Sequence, residues 1–272
     1  TFMSFSVSGK TAIVTGAANG LGLAIARHLV DKGANVMFAD IDEARLDAEV
    51  GEEARAEGQI RMFAGDLCQK LTINNLLSAT FDAFDRVDIL VNASRRLTPS
   101  DALNPDEDGV ETMWKQNVLT SLRLSQMTAK RMIQCAEKAG LEPGEAKGSI
   151  VNISSLAAQR VQPVLMGYAM ASAAIDQMTR NLAVVLAGQG IRVNAIAIGS
   201  VMTASLQNAL REAPDYRDRI EAGTPLGRIA GPDELAETVQ YLASDASRFV
   251  TGQVLTVDGG RGLLDVVAAP AF

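Results

Sequence analysis

A glycine-rich turn is the first segment of this sequence whose residue types and spacing could do chemistry. Glycines stand at positions 16, 20 and 22, between a predicted strand and a predicted helix. Glycine lets a backbone turn sharply and approach a pyrophosphate with no Cβ in the way. The following helix would direct free N–H groups and the positive end of its dipole toward that anion. A purely structural turn would use the same glycines, but the strand–turn–helix context favours dinucleotide binding. The binding residues would be Gly16, Asn19, Gly20, Leu21 and Gly22.

An acidic residue at the end of the second predicted strand extends this interpretation. Asp40 follows Gly16 by 24 residues. At that distance a carboxylate can accept hydrogen bonds from the adenosine ribose hydroxyls, and it would repel a 2′-phosphate. The nearest basic residue after it, Arg45, is a helical turn away. The sequence therefore favours NAD over NADP. An acid that stabilises a helix N-terminus is the alternative, and the neighbouring Asp42 fits that role better.

Elements of alternating type are needed to bring these residues together. Short β-branched runs alternate with Ala- and Leu-rich stretches of helical period, which predicts βαβ units and a parallel sheet covered on both faces. Right-handed crossovers then give an α/β, Rossmann-like, doubly wound fold of about seven strands. Strands are predicted at 11–15, 35–39, 60–64, 87–91, 149–153, 192–198 and 254–257. The clearest helices are predicted at 21–32, 43–57, 110–136, 169–187 and 233–244.

The alternation continues to the end of the chain, so we expect one domain over residues 1–272. Residues 97–109 and 139–148 are rich in Pro, Gly and acids and predict surface loops. Residues 204–224 form a charged helical insert between two strands, in the position of a lid over the cleft. Residues 261–272 form a C-terminal extension that either packs on a neighbouring subunit or frays.

Composition excludes several classes of function. The net charge of −7 argues against a nucleic-acid or anionic-membrane partner, since phosphate binding needs a basic surface. Two distant cysteines without a CxxC spacing, and one histidine, His28, predict no metal site and no serine–histidine–acid triad. No apolar run is long enough to span a membrane. The first residues lack the pattern of an export signal, so a cytoplasmic location is expected.

Further motifs follow the glycine turn along almost the whole chain. Asp66-Leu67 comes after the third predicted strand and Asn92-Ala93-Ser94 after the fourth. Asn117 lies in a predicted helix, Ser155 ends the fifth strand, and Tyr168 follows Ser155 by 13 residues. With the pattern Thr-Gly-x-x-x-Gly-x-Gly at 15–22, these motifs resemble the short-chain dehydrogenases/reductases. The resemblance runs from about residue 8 to residue 260.

The resemblance implies a role for each matched position. Tyr168 would be the general acid/base that moves a proton on or off the substrate oxygen, and Ser155 would hold and polarise that oxygen. Asn117 would steady a water in the proton relay, and Thr203 would anchor the nicotinamide carboxamide. Asp66, Leu67, Asn92 and Ala93 would contact the cofactor. Taken singly, each of these residues also has an ordinary structural explanation, such as a helix cap or a buried polar group.

Three positions depart from the family pattern, and all three belong to the nicotinamide half of the site. Ser172 stands four residues after Tyr168, where the family has a lysine. That ammonium lowers the tyrosine's pKa, ordinarily ~10, and bonds the nicotinamide ribose. Ser94 replaces a glycine that approaches the cofactor, and Ile198 replaces a proline. Weakened chemistry is therefore expected, and restoring a lysine at position 172 is expected to raise the rate.

A pair of arginines directly after Ser94 could supply a substitute cation. Arg95 and Arg96 follow a central strand at its carboxyl end, where the ligand crevice of such sheets lies. An arginine stays charged and cannot donate a proton, but it could still stabilise a tyrosinate. A solvated loop pair, or a binding site for a substrate carboxylate or phosphate, are the alternatives.

The resemblance also implies a class of reaction and an oligomeric state. It implies an NAD-dependent oxidoreductase that interconverts a secondary alcohol and a ketone. The alternative is a non-catalytic NAD-binding subunit with a structural or regulatory role. The helices predicted at 110–136 and 169–187 carry many small and apolar residues, and in similar proteins these helices pair between subunits. A homo-tetramer, or at least a dimer, is expected.

Overall fold

One parallel sheet organises the chain. The structure, a computed structural model, describes residues 4–142, 145–265 and 267. Seven strands pair in the order β3-β2-β1-β4-β5-β6-β7, all in parallel. The strands are β1 (Thr11–Thr15), β2 (Asn35–Asp40), β3 (Ile60–Ala64), β4 (Ile89–Asn92), β5 (Gly148–Ser155), β6 (Ile191–Ile198) and β7 (Val254–Val257). The predicted Rossmann-like doubly wound fold is thereby confirmed.

Helices connect the strands and cover both faces of the sheet. They are α1 (Gly20–Asp31), α2 (Glu43–Arg55), α3 (Lys70–Phe84), α4 (Val110–Met113), α5 (Thr120–Lys138), α6 (Met166–Ala187), α7 (Ala204–Glu212), α8 (Asp215–Ala222) and α9 (Pro232–Ala243). A π-helical segment, Trp114–Leu119, joins α4 to α5. Among the described residues, no helix combines the length and the apolarity needed to cross a membrane.

Two apolar layers form the core, one on each face of the sheet. Alternation along β1 sends Val14 to one layer and Ile13 to the other, as the period of two in a strand requires. The first layer packs the sheet against α1, α2 and α9, and the second packs it against α3, α5 and α6. All five residues of β1 are buried, because strands of a parallel sheet covered on both faces contact core on each side.

Strand order reverses between β1 and β4, and this reversal places the site. From β1 the chain moves outward through β2 and β3, then returns to β4 on the other side of β1. The connections after β1 and β4 therefore diverge and leave a crevice at the carboxyl ends of these strands. The glycine turn follows β1 and the Asn92-Ala93-Ser94 segment follows β4, so both motifs lie at this crevice.

Several element boundaries differ from the sequence predictions. β4 begins at Ile89 rather than at 87, although the Asp88 backbone already bonds to Thr11 and Ser149 of the two neighbouring strands (2.8 and 2.9 Å). The helix predicted at 110–136 is interrupted by the π-helical segment. α3 was not among the clearest predicted helices. The predicted insert at 204–224 consists of α7 and α8, and α8 buries none of its residues.

The C-terminal extension is described in part. Arg261–Leu263 forms a short 3-10 turn, and Arg261 donates a hydrogen bond to the Ser200 hydroxyl (2.7 Å). Residues 266 and 268–272 lie outside the described part of the chain, so the prediction for this extension stays a prediction.

Candidate active site

Thr15 joins the turn after β1 to the loop after β4. Its hydroxyl oxygen accepts the backbone N–H groups of Ala93 (3.1 Å) and Ser94 (3.0 Å). Gly16 adopts a φ of +69°, and a Cβ there would lie 2.8 Å from the Ser94 Cα. Position 16 therefore requires glycine for its backbone conformation and for its contact with the neighbouring loop. These contacts fix the floor of the crevice.

The N-terminus of α1 opens onto the crevice. Asn19, the residue before the helix, makes no side-chain capping bond, and the first turn carries no acid. Gly20 has open space where a side chain would stand, whereas a Cβ on Gly22 would overlap the Gly16 carbonyl oxygen. Leu21 packs against the core layer of α1. Uncapped N–H groups beside open space are what a pyrophosphate requires, so the turn fits the predicted dinucleotide.

Asp40 links the end of β2 to the same turn. Its Oδ2 accepts the backbone N–H of Ala18 (3.0 Å), and its Oδ1 accepts those of Ile41 (2.7 Å) and Asp42 (3.1 Å). An ionised carboxylate offers about four acceptor sites, so Oδ2 retains capacity for a ribose hydroxyl. Asp42 caps α2 by accepting the Arg45 N–H (3.0 Å). Asp42 thus has the helix-capping role that the sequence suggested for it, and Asp40 keeps an acceptor available for a ribose.

Asp66 and Leu67 directly follow β3, in the turn where the resemblance implies a contact with the cofactor. The Asp66 carboxylate accepts the backbone N–H of Cys68 (2.9 Å), and this hydrogen bond lowers the pKa of Asp66. Leu67 is buried and joins the core layer of α3. Asp66 therefore offers a fixed negative acceptor, while Leu67 supports the turn from below.

Asn92 is turned into the protein. Its side-chain amide donates to Asn152 Oδ1 (2.8 Å) and to the Ser125 hydroxyl (3.0 Å), and Asn152 donates in turn to Thr179 (2.9 Å). This buried chain ties β4 and β5 to α5 and α6. The Asn92 side chain is therefore committed to internal packing, which leaves its backbone and that of Ala93 to face a cofactor.

Asn117 lies in the π-helical segment and holds the loop after β4. Its Oδ1 accepts the Arg96 N–H, and its Nδ2 donates to the Arg96 carbonyl, both at 2.8 Å. The side chain is fully buried. π-Helical turns interrupt helices frequently at functional sites. Here the side-chain amide is used for the loop, so the part of Asn117 left to hold a water is its backbone carbonyl, which accepts one hydrogen bond from the Ser121 hydroxyl (2.8 Å).

Ser155 and Tyr168 stand where β5 ends and α6 begins. Ser155 is the last residue of β5, and its hydroxyl accepts the Ala157 N–H (3.1 Å). Tyr168 is in the first turn of α6 and is 8 % exposed. Within residues 4–142 and 145–265, no hydrogen bond engages the Tyr168 hydroxyl. A phenol in this position is available to exchange a proton with a bound molecule.

Ser172 lies one turn along α6 from Tyr168 and is fully buried. Its hydroxyl donates to the Tyr168 carbonyl oxygen (2.8 Å) and accepts a hydrogen bond from Arg95 Nη2 (2.8 Å). Arg95 Nη1 donates to the Ile153 carbonyl oxygen (2.7 Å). The guanidinium carbon lies 4.7 Å from the centre of the Tyr168 ring. Of the two arginines, Arg95 therefore turns into the site, while Arg96 is exposed.

Comparison with known proteins agrees with this geometry. A family model described as enoyl-(acyl carrier protein) reductase matches residues 16–261. A short-chain dehydrogenase/reductase of Aspergillus oryzae is 33 % identical, over 96 % of this chain and 97 % of the relative. The chain belongs to the short-chain dehydrogenase/reductase family.

Two solved structures of this family superpose closely on the chain. A 7α-hydroxysteroid dehydrogenase, complexed with NADH and 7-oxo glycochenodeoxycholic acid, has a TM-score of 0.84 at 31 % identity, covering 94 % of this chain and 96 % of its own. A gluconate 5-dehydrogenase from Burkholderia cenocepacia, in complex with NADP and tartrate, has a TM-score of 0.83 at 28 % identity, covering 96 % and 98 %. Relatives of this short-chain dehydrogenase/reductase therefore include binders of either nicotinamide cofactor.

Thr203 directly precedes α7 in this short-chain dehydrogenase/reductase. Its hydroxyl oxygen accepts the Leu206 N–H (3.3 Å) and so caps α7. Gly199 comes directly after Ile198, and a Cβ on Gly199 would lie 2.8 Å from the Asp258 Cβ. The turn under the site therefore keeps its glycine even though the family's proline is replaced by Ile198.

A buried acid behind Ser172 was not found from the sequence. Asp176 is 4 % exposed and accepts a hydrogen bond from the Ser154 hydroxyl. Burial raises the pKa of Asp176, while Ser154, Arg180 and Arg95 act in the opposite direction. Its spacing of four residues from Ser172 and eight from Tyr168 places all three on one face of α6, and this spacing was the available signal.

Proposed function

We propose that this chain is an NAD(H)-dependent oxidoreductase that interconverts a secondary alcohol and a ketone. The observation that carries the proposal is the convergence of two groups at one edge of the sheet. The uncapped glycine turn and Asp40 follow β1 and β2, and Ser155 and Tyr168 lie at the end of β5. Membership of a family of dehydrogenases and reductases supports the same reading. Cofactor and substrate would thus share one crevice.

The chain's own residues would act on the substrate oxygen. Tyr168 exchanges a proton with that oxygen. General acid–base catalysis of this kind typically raises the reaction rate by a factor of roughly 10²–10⁴. Ser155 donates a hydrogen bond to the same oxygen and polarises the bond to carbon. Asn117 holds the loop that carries Arg95, and Thr203 with the backbone of Asn92 and Ala93 borders the cofactor. A bound NADH would supply the hydride to the carbon of a ketone, and a bound NAD would accept it from an alcohol.

Asp40 is the basis for NAD rather than NADP. A carboxylate with acceptor capacity left on Oδ2 favours a free ribose hydroxyl and repels a 2′-phosphate at the same place. Removing the carboxylate should therefore weaken the preference.

Titration of NADH and NADPH, followed by their fluorescence, tests this assignment. We expect NADH to bind with a Kd on the order of micromolar and NADPH to bind at least about tenfold more weakly. Asp40→Ala should bring the two affinities together. Asp42→Ala is the matched control, because that acid caps α2 and should leave the ratio unchanged. Equal binding of both cofactors by the native chain would overturn the assignment.

A non-catalytic NAD-binding role is the second candidate, and Ser172 is the observation that favours it. The family's lysine is replaced by a neutral hydroxyl, and Arg95 cannot pass on a proton. Turnover separates the two candidates. A 7-oxo bile acid and gluconate, taken from the named relatives, are the first compounds to assay with NADH and NAD. NADH binding without turnover across a wide panel of ketones and alcohols would favour the second candidate.

We also propose that the chain assembles as a homo-tetramer or a dimer through α5 and α6. Both helices bury one face against the sheet and leave the other outside. α7 and α8 are proposed to act as a lid over the crevice, because α8 packs few side chains and such segments open at low cost.

A further inference from the structure

We propose that Arg95 holds, from the loop after β4, the cationic position beside Tyr168 that the family fills from residue 172. This inference rests on the proposed function. In this inference Arg95 is a positioning residue that acts through Tyr168. Ser172 is its partner, since the short serine side chain leaves room for the guanidinium. The loss of the lysine would then be compensated by a cation from another element.

Hydrogen bonds fix the guanidinium in this position. Nη1 donates to the carbonyl of Ile153 at the end of β5, and Nη2 donates to the Ser172 hydroxyl in α6. Ser172 in turn donates a hydrogen bond to the Tyr168 carbonyl oxygen, so the guanidinium is linked to the backbone of Tyr168. The planar fork of arginine suits two acceptors held on separate elements. Arg95 is therefore part of the site's framework rather than a solvated loop residue.

The size of Ser172 is what makes room for this arrangement. Its hydroxyl is 2.8 Å from Arg95 Nη2, which leaves no space between them for a longer side chain. A lysine at position 172 would bring an ammonium against the guanidinium, and two like charges at such a distance repel strongly. Arg95 and Ser172 therefore form a matched pair, and a cation can occupy the position from either residue but not from both. Ser172→Lys alone is then not expected to raise the rate, in contrast to the expectation from the sequence.

The location of the charge suits the chemistry of Tyr168. Arg95 lies over the face of the ring, and its Nε is buried without an acceptor among the described residues. A partly buried cation is less screened than one in water, and its attraction to the ring is larger for a phenolate than for a phenol. The contact between Arg95 and Tyr168 would thus be stronger in the transition state for proton transfer than with the neutral phenol. An interaction that is stronger in the transition state is the kind that accelerates a step.

The charges around Arg95 do not cancel this effect. Asp176 is the nearest buried acid, but its carboxylate is bonded to Ser154 rather than to the guanidinium. Arg95 differs from the family's lysine in one respect, because two of its five N–H groups, one on each terminal nitrogen, are held by Ile153 and Ser172. We therefore expect Arg95 to affect turnover much more than cofactor affinity.

A double-mutant cycle tests the pair, using Arg95→Met, Ser172→Lys and the double variant. Thermal unfolding needs no substrate. We expect each single change to lower the unfolding temperature and the double variant to recover part of the sum, since one cation again occupies the position. Arg248→Met is the control, as Arg248 is exposed and outside the crevice. Independent, additive effects would overturn the pairing.

Turnover with NADH and the best substrate of the panel is the second measurement. Arg95→Met should lower kcat by about tenfold or more, with the KM for NADH nearly unchanged. The double variant should regain turnover, because Lys at 172 restores the cation; a merely structural role of Arg95 would not be rescued in this way. A native kcat in Arg95→Met would overturn the inference. Absence of turnover in the native chain would instead refute the proposed function, and the unfolding cycle would still decide whether the two positions share one cation.

Discussion

The Tyr168 hydroxyl is the group on which the proposed chemistry depends. Replacing it by hydrogen in Tyr168→Phe keeps the ring, its packing and its contact with Arg95. We therefore expect the rate to fall by about 10²–10⁴ while NADH affinity is unchanged, measured by turnover and by cofactor fluorescence. Tyr241→Phe is the control, since that ring lies on α9 near Phe5 and away from the crevice. Survival of the rate in Tyr168→Phe would mean that another group moves the proton.

Single residues also show where sequence reasoning ends. Gly16 and Asp40 could be assigned from spacing, because a turn between a strand and a helix leaves few conformations for them. Arg95 and Arg96 are adjacent and chemically identical, so no pattern tells which of them enters the site. That choice depends on the path of the loop after β4, which Asn117 and Thr15 fix from distant parts of the chain. The sequence shows that Ser172 departs from the family's lysine, but it does not show that Arg95 is the hydrogen-bond partner of Ser172.

At the scale of elements, the helix from Val110 to Lys138 is more than a covering layer. Its π-helical segment, between α4 and α5, contains Asn117, whose side chain bonds to the Arg96 backbone. Asn117→Ala would leave the partly buried backbone N–H and carbonyl of Arg96 without their partner. We expect a loss of about 1–3 kcal/mol in the free energy of unfolding, measured by urea denaturation. Asn181→Ala, on the exposed face of α6, should cost far less; an equal cost would contradict the role of the Arg96 bonds.

The alternation of strands and helices was predictable because each strand of a buried parallel sheet is a short apolar run. The π-helical segment was not, since residues 110–136 show one continuous helical period and the extra residue depends on tertiary contacts. α3 was expected only as an unbounded helix between two predicted strands and was not among the clearest helices, for a related reason. Its sequence contains several Thr, Asn and Ser residues, which have low helix propensity, and packing of Ile73, Leu76 and Leu77 on the sheet stabilises it instead.

For the whole molecule, the outer surface of α6 carries exposed aliphatic side chains that no other described segment covers. Val184 and Val185 of α6 are 80 % and 71 % exposed. Beside them lies a groove of about 820 Å³, lined by apolar residues of α5 and α6 and rimmed by Arg123 and Lys130. The groove also includes Cys68, Gln69 and Lys70, but Ser155, Tyr168 and Ser172 are not among its lining residues. Exposed aliphatic side chains next to an apolar groove are typical of a contact between subunits.

Val185→Glu tests the proposed assembly. A charge at the centre of an apolar contact must be desolvated without a partner, so the association should weaken strongly. Size-exclusion chromatography with light scattering should give two or four times the chain mass for the native protein and a shift toward one for the variant. Val161→Glu is the control, because Val161 is 89 % exposed but lies in the loop before α6. A native monomer, or a variant with the native mass, would show that α6 does not form the contact. If the variant dissociates yet retains the native rate, the crevice is complete within one chain, as the contacts of Arg95, Ser172 and Tyr168 already imply.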